Sequence, residues 1–489
     1  MAEDGPTPVH LPKVLDGLAE NPALPVELVR RLVRHRPCSD GVARHADLPP
    51  DVIEEILASD DHRLLHSLAL NRHLPHAVRM RLTAYADPAV RAALVVGAWD
   101  APRELHERLI DDPGPRAREY LAQRDDVPAD LLARLATDPE PTVRATLARW
   151  WTQAPEAVRR VLLTDPVDSV RAAACSTYYA RLPHPVPPPD LVARLLDDPV
   201  TRTGAVRHAV LTPALAARLA ADPDHQVRRQ VAEHPQLPPS VRDVLADDPS
   251  ANVRVGIFRR PDTPEPTRRR IYAAVQQGER PLTDVLGGDL DDDEVLQQFE
   301  DHLAVSELRH LRLDWVTADP LPHVSSLYIC FRRSAAHSPA LPADAVLRLL
   351  DDDDSGVRTT MARHAPHLVD PATAERIDRG FRSDKKTDWR PADVLPLPAS
   401  TLRRLASDPD PRMRSLAPRD PDLPVEVAER LAADPDSTVR QTVAGHPRLP
   451  AHARRALLAD DSEFVARTAA AAPTLPVAEM ERLLTLAGV

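Results

Sequence analysis

The chain has 489 residues, with 74 acidic against 62 basic side chains, a net charge of −12 and only 3% aromatic residues. That balance argues against a general nucleic-acid binder, whose footprint is basic. Just 14 glycines disfavour turn-rich β folds and phosphate-cradling loops, and the scattered Cys38, Cys175 and Cys330 argue against a disulfide framework or a thiolate cluster.

Prolines punctuate the chain. The first segment, 1–22, reads as a short tail and a cap helix. No basic or apolar leader opens it (MAEDGPTPVH) and no apolar run reaches membrane length, so a soluble, cytoplasmic protein is expected. An N-terminal array over 23–266 follows, with lead prolines at Pro25, Pro49, Pro75, Pro102, Pro128 and Pro155, then near Pro188 and at Pro213, Pro238 and Pro264. Early repeats are degenerate: Asp60-Asp61 replaces Asp-Pro, and Arg91 follows Asp87-Pro88 too soon for the spacing set out below. Between Pro155 and Pro188 the spacer lengthens, and Trp150, Trp151, Tyr178 and Tyr179 cluster near it. They read as core filling where the spacing changes, or as an exposed anchor for a partner.

Residues 267–340 are irregular and partly acidic, with helices expected near 294–303 and 307–317 in two distorted repeats. A C-terminal array over 341–489, continuous with the first, closes the chain. It is interrupted at 370–395, where Trp389 and the lysine pair Lys385-Lys386 suggest an exposed loop. The only other lysine is Lys13; the arginine, alanine and proline bias is that of a GC-rich, bacterial genome.

The best repeat runs from Leu423 to Leu449, and Pro398, Pro424, Pro450 and Pro476 recur every 26 residues. A fixed period of this size marks a solenoid, in which each repeat buries its apolar face only against its neighbours. Pro424 suits the first turn of a helix whose face carries Val427 and Leu431. Asp434-Pro435 ends that helix and is expected to open the next, with Asp434 as N-cap. Val439, Val443 and Ala444 stripe the second helix. Helices of about ten residues are unstable alone, so stacking must hold them; one per repeat could be short or 3-10. The helix after Pro476 has no second helix behind it and reads as a C-terminal cap.

An aspartate and an arginine six residues apart recur at Asp112/Arg118, Asp138/Arg144, Asp165/Arg171, Asp222/Arg228, Asp248/Arg254, Asp352/Arg358, Asp408/Arg414 and Asp434/Arg440. Because the arginine arrives with its acid, a ladder of charge-assisted bonds between adjacent repeats is the expected role, ahead of a row of anion-binding arginines. The pattern LP-x3-L-x2-LA-x-DP-x4-R-x2-VA-x2-P resembles the leucine-rich repeat variant family and the broader HEAT-type α-repeats. The resemblance implies an all-α, right-handed superhelical solenoid of about eighteen two-helix repeats, presenting surfaces to partners. The founding type of the variant family carries an iron–sulfur cluster on clustered cysteines; this sequence has no such cluster, so no cofactor carries over.

Candidate chemistry is thin. Asp289, Asp291, Asp293 and Glu300 match positions of a calcium loop, but Glu294 stands where the loop needs glycine. His62 and His66, near Asp60, Asp61, His73 and His76, lack a third metal ligand at a characteristic spacing. His234, His364 and His446 recur near the closing proline, which suggests packing or capping. No catalytic fingerprint appears. A helical-repeat DNA glycosylase would need roles for Arg149, Trp150, Trp151 and Asp138 that the acidity of the chain opposes. The expected function is a non-enzymatic scaffold for a protein or peptide partner, with no metal, cofactor or catalytic residues. Nucleic-acid binding or base processing is the alternative, and the oligomeric state stays open.

Overall fold

The computed structural model describes residues 7–34, 40–99, 101–175, 186–277, 292–382 and 389–489. Among them every regular element is a helix, most of two to three turns, with one-turn 3-10 pieces between some of them. The helices form an α-solenoid whose repeats fall into two compact bodies. One comprises Met1–Val143 with Leu397–Val489, the other Arg144–Pro396.

The best repeat shows how the sequence makes the unit. Pro424 is the N-cap of the first helix, Val425–Ala432, rather than its first residue. Its carbonyl accepts from the Ala428 N–H at 3.0 Å. Ala428 and Leu431 are buried, as are Val439, Val443 and Ala444 of the second helix, Ser437–Ala444. Asp434-Pro435 does end the first helix, but the second starts later than expected. Its N-cap is Asp436, which accepts from Thr438 N at 2.8 Å and Val439 N at 3.3 Å. Asp434 is committed elsewhere: one carboxylate oxygen takes the Asp436 N–H at 2.9 Å, and both take Arg414 of the preceding repeat at 2.7 and 2.8 Å. Burial pushes the Asp434 carboxyl up, but the Arg414 and Asp436 bonds outweigh it and hold the group below the usual carboxylate range.

The arginine ladder therefore connects neighbours. Arg440 gives its Nε and Nη2 to Asp460 of the next repeat, at 2.7 and 2.8 Å, and its Nη1 to the Asp434 carbonyl of its own, at 2.9 Å. In the first body the rungs are Arg91–Asp112, Arg118–Asp138, Arg414–Asp434 and Arg440–Asp460. In the second they include Arg144–Asp165, Arg171–Asp198, Arg202–Asp222, Arg228–Asp248 and Arg332–Asp352. Arg91 was expected to fall out of step; it is in register. Its Nη1 meets the carbonyl of Tyr85, which takes the aspartate's place, at 2.7 Å, while Asp87 is the N-cap of Pro88–Gly97. Conversely, Asp248/Arg254 and Asp352/Arg358 do not extend the ladder. Arg254 bonds the carbonyls of Asp248 and Pro249, and Arg358 those of Asp352 and Asp353, with no carboxylate beyond among the described residues. The acid 20 residues after Arg358, Asp378, is taken by Arg390 and the Ala392 N–H.

In the irregular stretch the helix expected near 294–303 runs on as Asp292–His310, past the start of the one expected near 307–317, and the rest of the latter is a separate helix, Asp314–Ala318. The intervening Ala304, Val305 and Ser306 include neither proline nor glycine, so nothing breaks the first helix there. Aromatic rings thicken the core there. Phe258, Tyr328 and Phe331 lie 5.0 to 5.7 Å apart, Trp315 is 5.3 Å from Phe331, and buried Arg268 stacks 5.5 Å from Trp315.

Within the first body the two ends of the chain meet. Leu11–Ala19 lies along Glu463–Ala471, and Val26–Arg34 lies against Val477–Leu486. Both end helices were expected to be caps. Instead Leu11–Ala19 supplies the second helix that follows Val477–Leu486, so one repeat is split between head and tail. Val14, Leu15, Leu18 and Ala19 are buried at this junction. A side chain at Gly17 would sit 2.1 Å from the Arg467 carbonyl, as one at Gly97 would sit 2.3 Å from that of Ala69 at an inner junction. Glycine is what lets the backbones approach this closely.

Arg440 and Asp460 are 13% and 7% exposed, whereas Arg448 and its partner Asp422 are 51% and 71% exposed. Arg440→Ala should therefore lower stability by about 1–3 kcal/mol, by stranding a buried carboxylate, and Arg448→Ala by less than about 0.5 kcal/mol. Urea denaturation of both variants checks this; equal midpoints would remove the ladder as a stabilising element.

Candidate functional site

Several second helices end in a side chain that grips the repeat before it. Asn71 Nδ2 donates to the carbonyls of Ala43 and His45 at 3.0 Å each, and its oxygen accepts from His73 N at 2.8 Å. Arg260 Nη1 donates to the Ala232 and His234 carbonyls at 3.1 and 2.6 Å. His234 faces the Ala209 carbonyl through Nε2 at 3.2 Å, and His446 that of Asp420 at 2.9 Å. Their Nδ1 atoms accept from Gln236 N and Arg448 N, so Nε2 carries the proton. Burial, and secondarily Arg260, keeps His234 below the usual imidazole range, although its carbonyl bond opposes this. His234 and His446 thus fill the packing role expected of them. Sequence reading missed that Asn21, His45, Asn71 and Arg260 share it; the signal was a polar residue three positions before a Leu-Pro or, for Arg260, before Thr263-Pro264.

Helical rotation turns the residue just before each clamp away from the neighbouring repeat. Glu233 and Arg259 occupy this register and line an open groove of about 1940 Å³ in the second body, with Arg207, Arg229, Gln230 and Glu307. Arg229 bridges Glu233 at 3.1 Å and Glu307 at 2.6 Å, and Arg259 reaches Glu233 at 3.1 Å. Arg207 meets the neutral Gln230 at 3.3 Å, and Arg312 comes no nearer than 3.9 Å to Asp314.

His364 stands one position before the clamp, in the register of Glu233 and Arg259 but outside the lining of their groove, which corrects its expected grouping with His234 and His446. The clamp position is Ala365, and His364 Nε2 meets His337 Nδ1 at 2.9 Å. Burial first, then His364, Arg312, Arg333 and Arg363, pushes His337 down to about 4. Burial, then Arg363 and Arg312, lowers His364. Arg363 also lies 5.1 Å from the Trp389 ring.

The other sequence candidates lie apart from this groove. Asp138 is a ladder rung held by Arg118, which leaves it no catalytic freedom. Arg149 and Trp150 end the Pro141–Trp150 helix; Trp150 and Trp151 are both half-buried. Tyr178, Tyr179, Cys38, Lys385, Lys386, Asp289 and Asp291 lie outside the described residues. From Asp292 onward the supposed calcium loop is helix, and Glu300 meets His225 at 3.3 Å. His62 and His66 share one helix, and among the described residues no three metal-ligating side chains converge. None of the described helices is long and apolar enough to cross a membrane.

This architecture defines an α-helical repeat protein. Its unit is similar to the leucine-rich repeat variant, whose family model matches residues 225–250, a stretch holding a second helix, its clamp and the next first helix. Solved structures that align with the chain include the karyopherin Kap121p bound to Ste12p, at 13% identity and a TM-score of 0.27, over 82% of this chain and 49% of that one. Kap121p bound to the extreme C-terminus of the protein phosphatase Cdc14p aligns at 12% identity and a TM-score of 0.23, over 98% and 55%. The chain thus spans about half the length of those chains, and the TM-scores are too low to transfer a property from them. No curated protein sequence matches the chain.

The lowered histidines make stability acid-sensitive. The unfolded chain binds protons at ~6.5, the folded His337 only near 4, so its contribution is complete above ~6.5 and fades as pH falls toward 4. His337→Gln should flatten the fall of the thermal midpoint between pH 6.5 and 4; an unchanged slope would show that the pair does not titrate as described.

Proposed function

We propose that the chain is a non-enzymatic scaffold that binds an acidic segment of a protein partner in the groove of the second body. The observation that carries this reading is the division of labour within each repeat. One residue clamps the neighbouring repeat, and the residue before it changes from repeat to repeat: Glu233 and Arg259, which line the groove, then His337 and His364. A surface varied one position per repeat, on a frame held by other residues, can be fitted to a particular partner without disturbing the fold.

The internal pairings set the partner's charge. Glu233 and Glu307 are satisfied by Arg229 and Arg259, while among the described residues Arg207 meets the neutral Gln230 and Arg312 stands 3.9 Å from Asp314, beyond hydrogen-bonding distance. Aspartate or glutamate side chains of an extended peptide would complete them. The lining mixes both signs, with Glu233, Asp262, Glu307 and Asp314 among the arginines, which opposes a phosphate-tracking channel and disfavours the nucleic-acid alternative.

A panel of acidic, neutral and basic fluorescent peptides tests this by anisotropy. Acidic peptides should bind best, the affinity should weaken with salt, and Arg207→Glu with Arg312→Glu should weaken it at least tenfold, about 1.4 kcal/mol. Equal binding of basic peptides, or tighter retention of single-stranded DNA than of any peptide, would overturn the proposal.

A further inference from the structure

The split repeat in the first body carries a second recognition surface. Asn21 Nδ2 donates to the carbonyls of Ala470 and Ala472, at 2.9 and 2.8 Å, and its oxygen accepts from Ala23 N at 2.9 Å. This is the grip Asn71 exerts on Ala43 and His45, with the same two-residue offset between the gripped carbonyls. Arg467 pairs with Glu20 at 2.6 Å, and His10 meets the Asp461 carbonyl at 2.9 Å. Head and tail therefore meet in register through the same clamp and the same close glycine approach that join consecutive repeats, but with no chain joining them at that junction.

A contact made only of side-chain and backbone bonds between chain ends does not distinguish its own head from another's. What favours the internal head is tethering, equivalent to an effective concentration on the order of millimolar. We propose that the face formed by Glu463–Ala471 and Val477–Leu486 also receives the Leu11–Ala19 helix of a second copy of this chain. The closed monomer then exchanges its head with neighbours as concentration rises, the low-cost route to oligomers open to any exchangeable element. The occupant is specified by the junction itself. It must bring a glycine where Gly17 crosses the Arg467 carbonyl, a carboxylate for Arg467, and an amide at the position of Asn21.

Two full-length variants test this by complementation. Gly17→Val spoils the head, because its β-carbon would lie 2.1 Å from the Arg467 carbonyl oxygen; Ala470→Trp spoils the tail, because Ala470 Cβ lies 3.1 Å from where a β-carbon on residue 17 would stand, so a larger side chain meets the Leu11–Ala19 backbone. Neither can close on itself or pair with its own kind, but each keeps the half the other lacks. Light scattering should give the mass of one copy for each variant alone and of a one-to-one complex for the mixture. Wild type should run as one copy when dilute and gain dimer when concentrated. Far-UV circular dichroism verifies that each variant is folded, and Ala470→Leu replaces Ala470→Trp if the larger ring unfolds the tail. A mixture of folded variants that stays at the mass of one copy overturns the proposal, as does either variant pairing by itself.

Discussion

Everything in this protein depends on bonds made across the boundary between one repeat and the next. A repeat contributes two helices of about eight residues, each too short to persist alone in water. Apolar burial between repeats is thin, since the core is leucine, valine and alanine with few rings. Two polar devices supplement it. The arginine of each rung ties its own turn to the carboxylate of the next repeat. The clamp at the end of the second helix ties it to carbonyls of the repeat before. Both devices satisfy carbonyl groups at helix ends and turns, which would otherwise be buried without partners.

The same arrangement separates the positions that hold the stack from those that face the groove. The ladder and the clamps use positions whose chemistry is dictated by the neighbouring backbone. The groove register is free of that duty, and its residues differ in charge and size along the second body. Where two of them meet across a repeat boundary they form their own pairs, Arg259 with Glu233 and His337 with His364. Burial first, and then the neighbouring arginines, disfavours protonation of both histidines, and the positive character at that position comes from Arg312, Arg333 and Arg363.

Interruptions of the ladder are informative in the same terms. It stops at Arg254 and Arg358, next to the stretches where the repeat pattern fades in the sequence. After Arg254 the aromatic cluster around Phe258, Trp315 and Phe331 holds the stack by burial instead. After Arg358 the acid in register is captured locally by Arg390, and the connection passes to ring contacts involving Phe381, Trp389 and Arg363. In the first body the split repeat shows that continuity of the chain is dispensable at a junction, provided that the clamp, the glycine crossing and the apolar face are all present.

The sequence by itself determined the period, the two-helix unit, the all-helical stack and the pairing of arginine with aspartate, because these follow from proline spacing and helical periodicity within a short window. It misplaced the second helix's N-cap by two residues, at Asp434 instead of Asp436, because both aspartates suit a cap and only the arginine of the preceding repeat decides between them. Only the tertiary structure decided which carboxylate each arginine takes, that His364 pairs with His337 while His234 and His446 grip a neighbour, and that head and tail complete one repeat. These are contacts between residues 20 to 450 positions apart. Local patterns cannot rank them, since the choice is made by which backbone groups the folded stack leaves without partners.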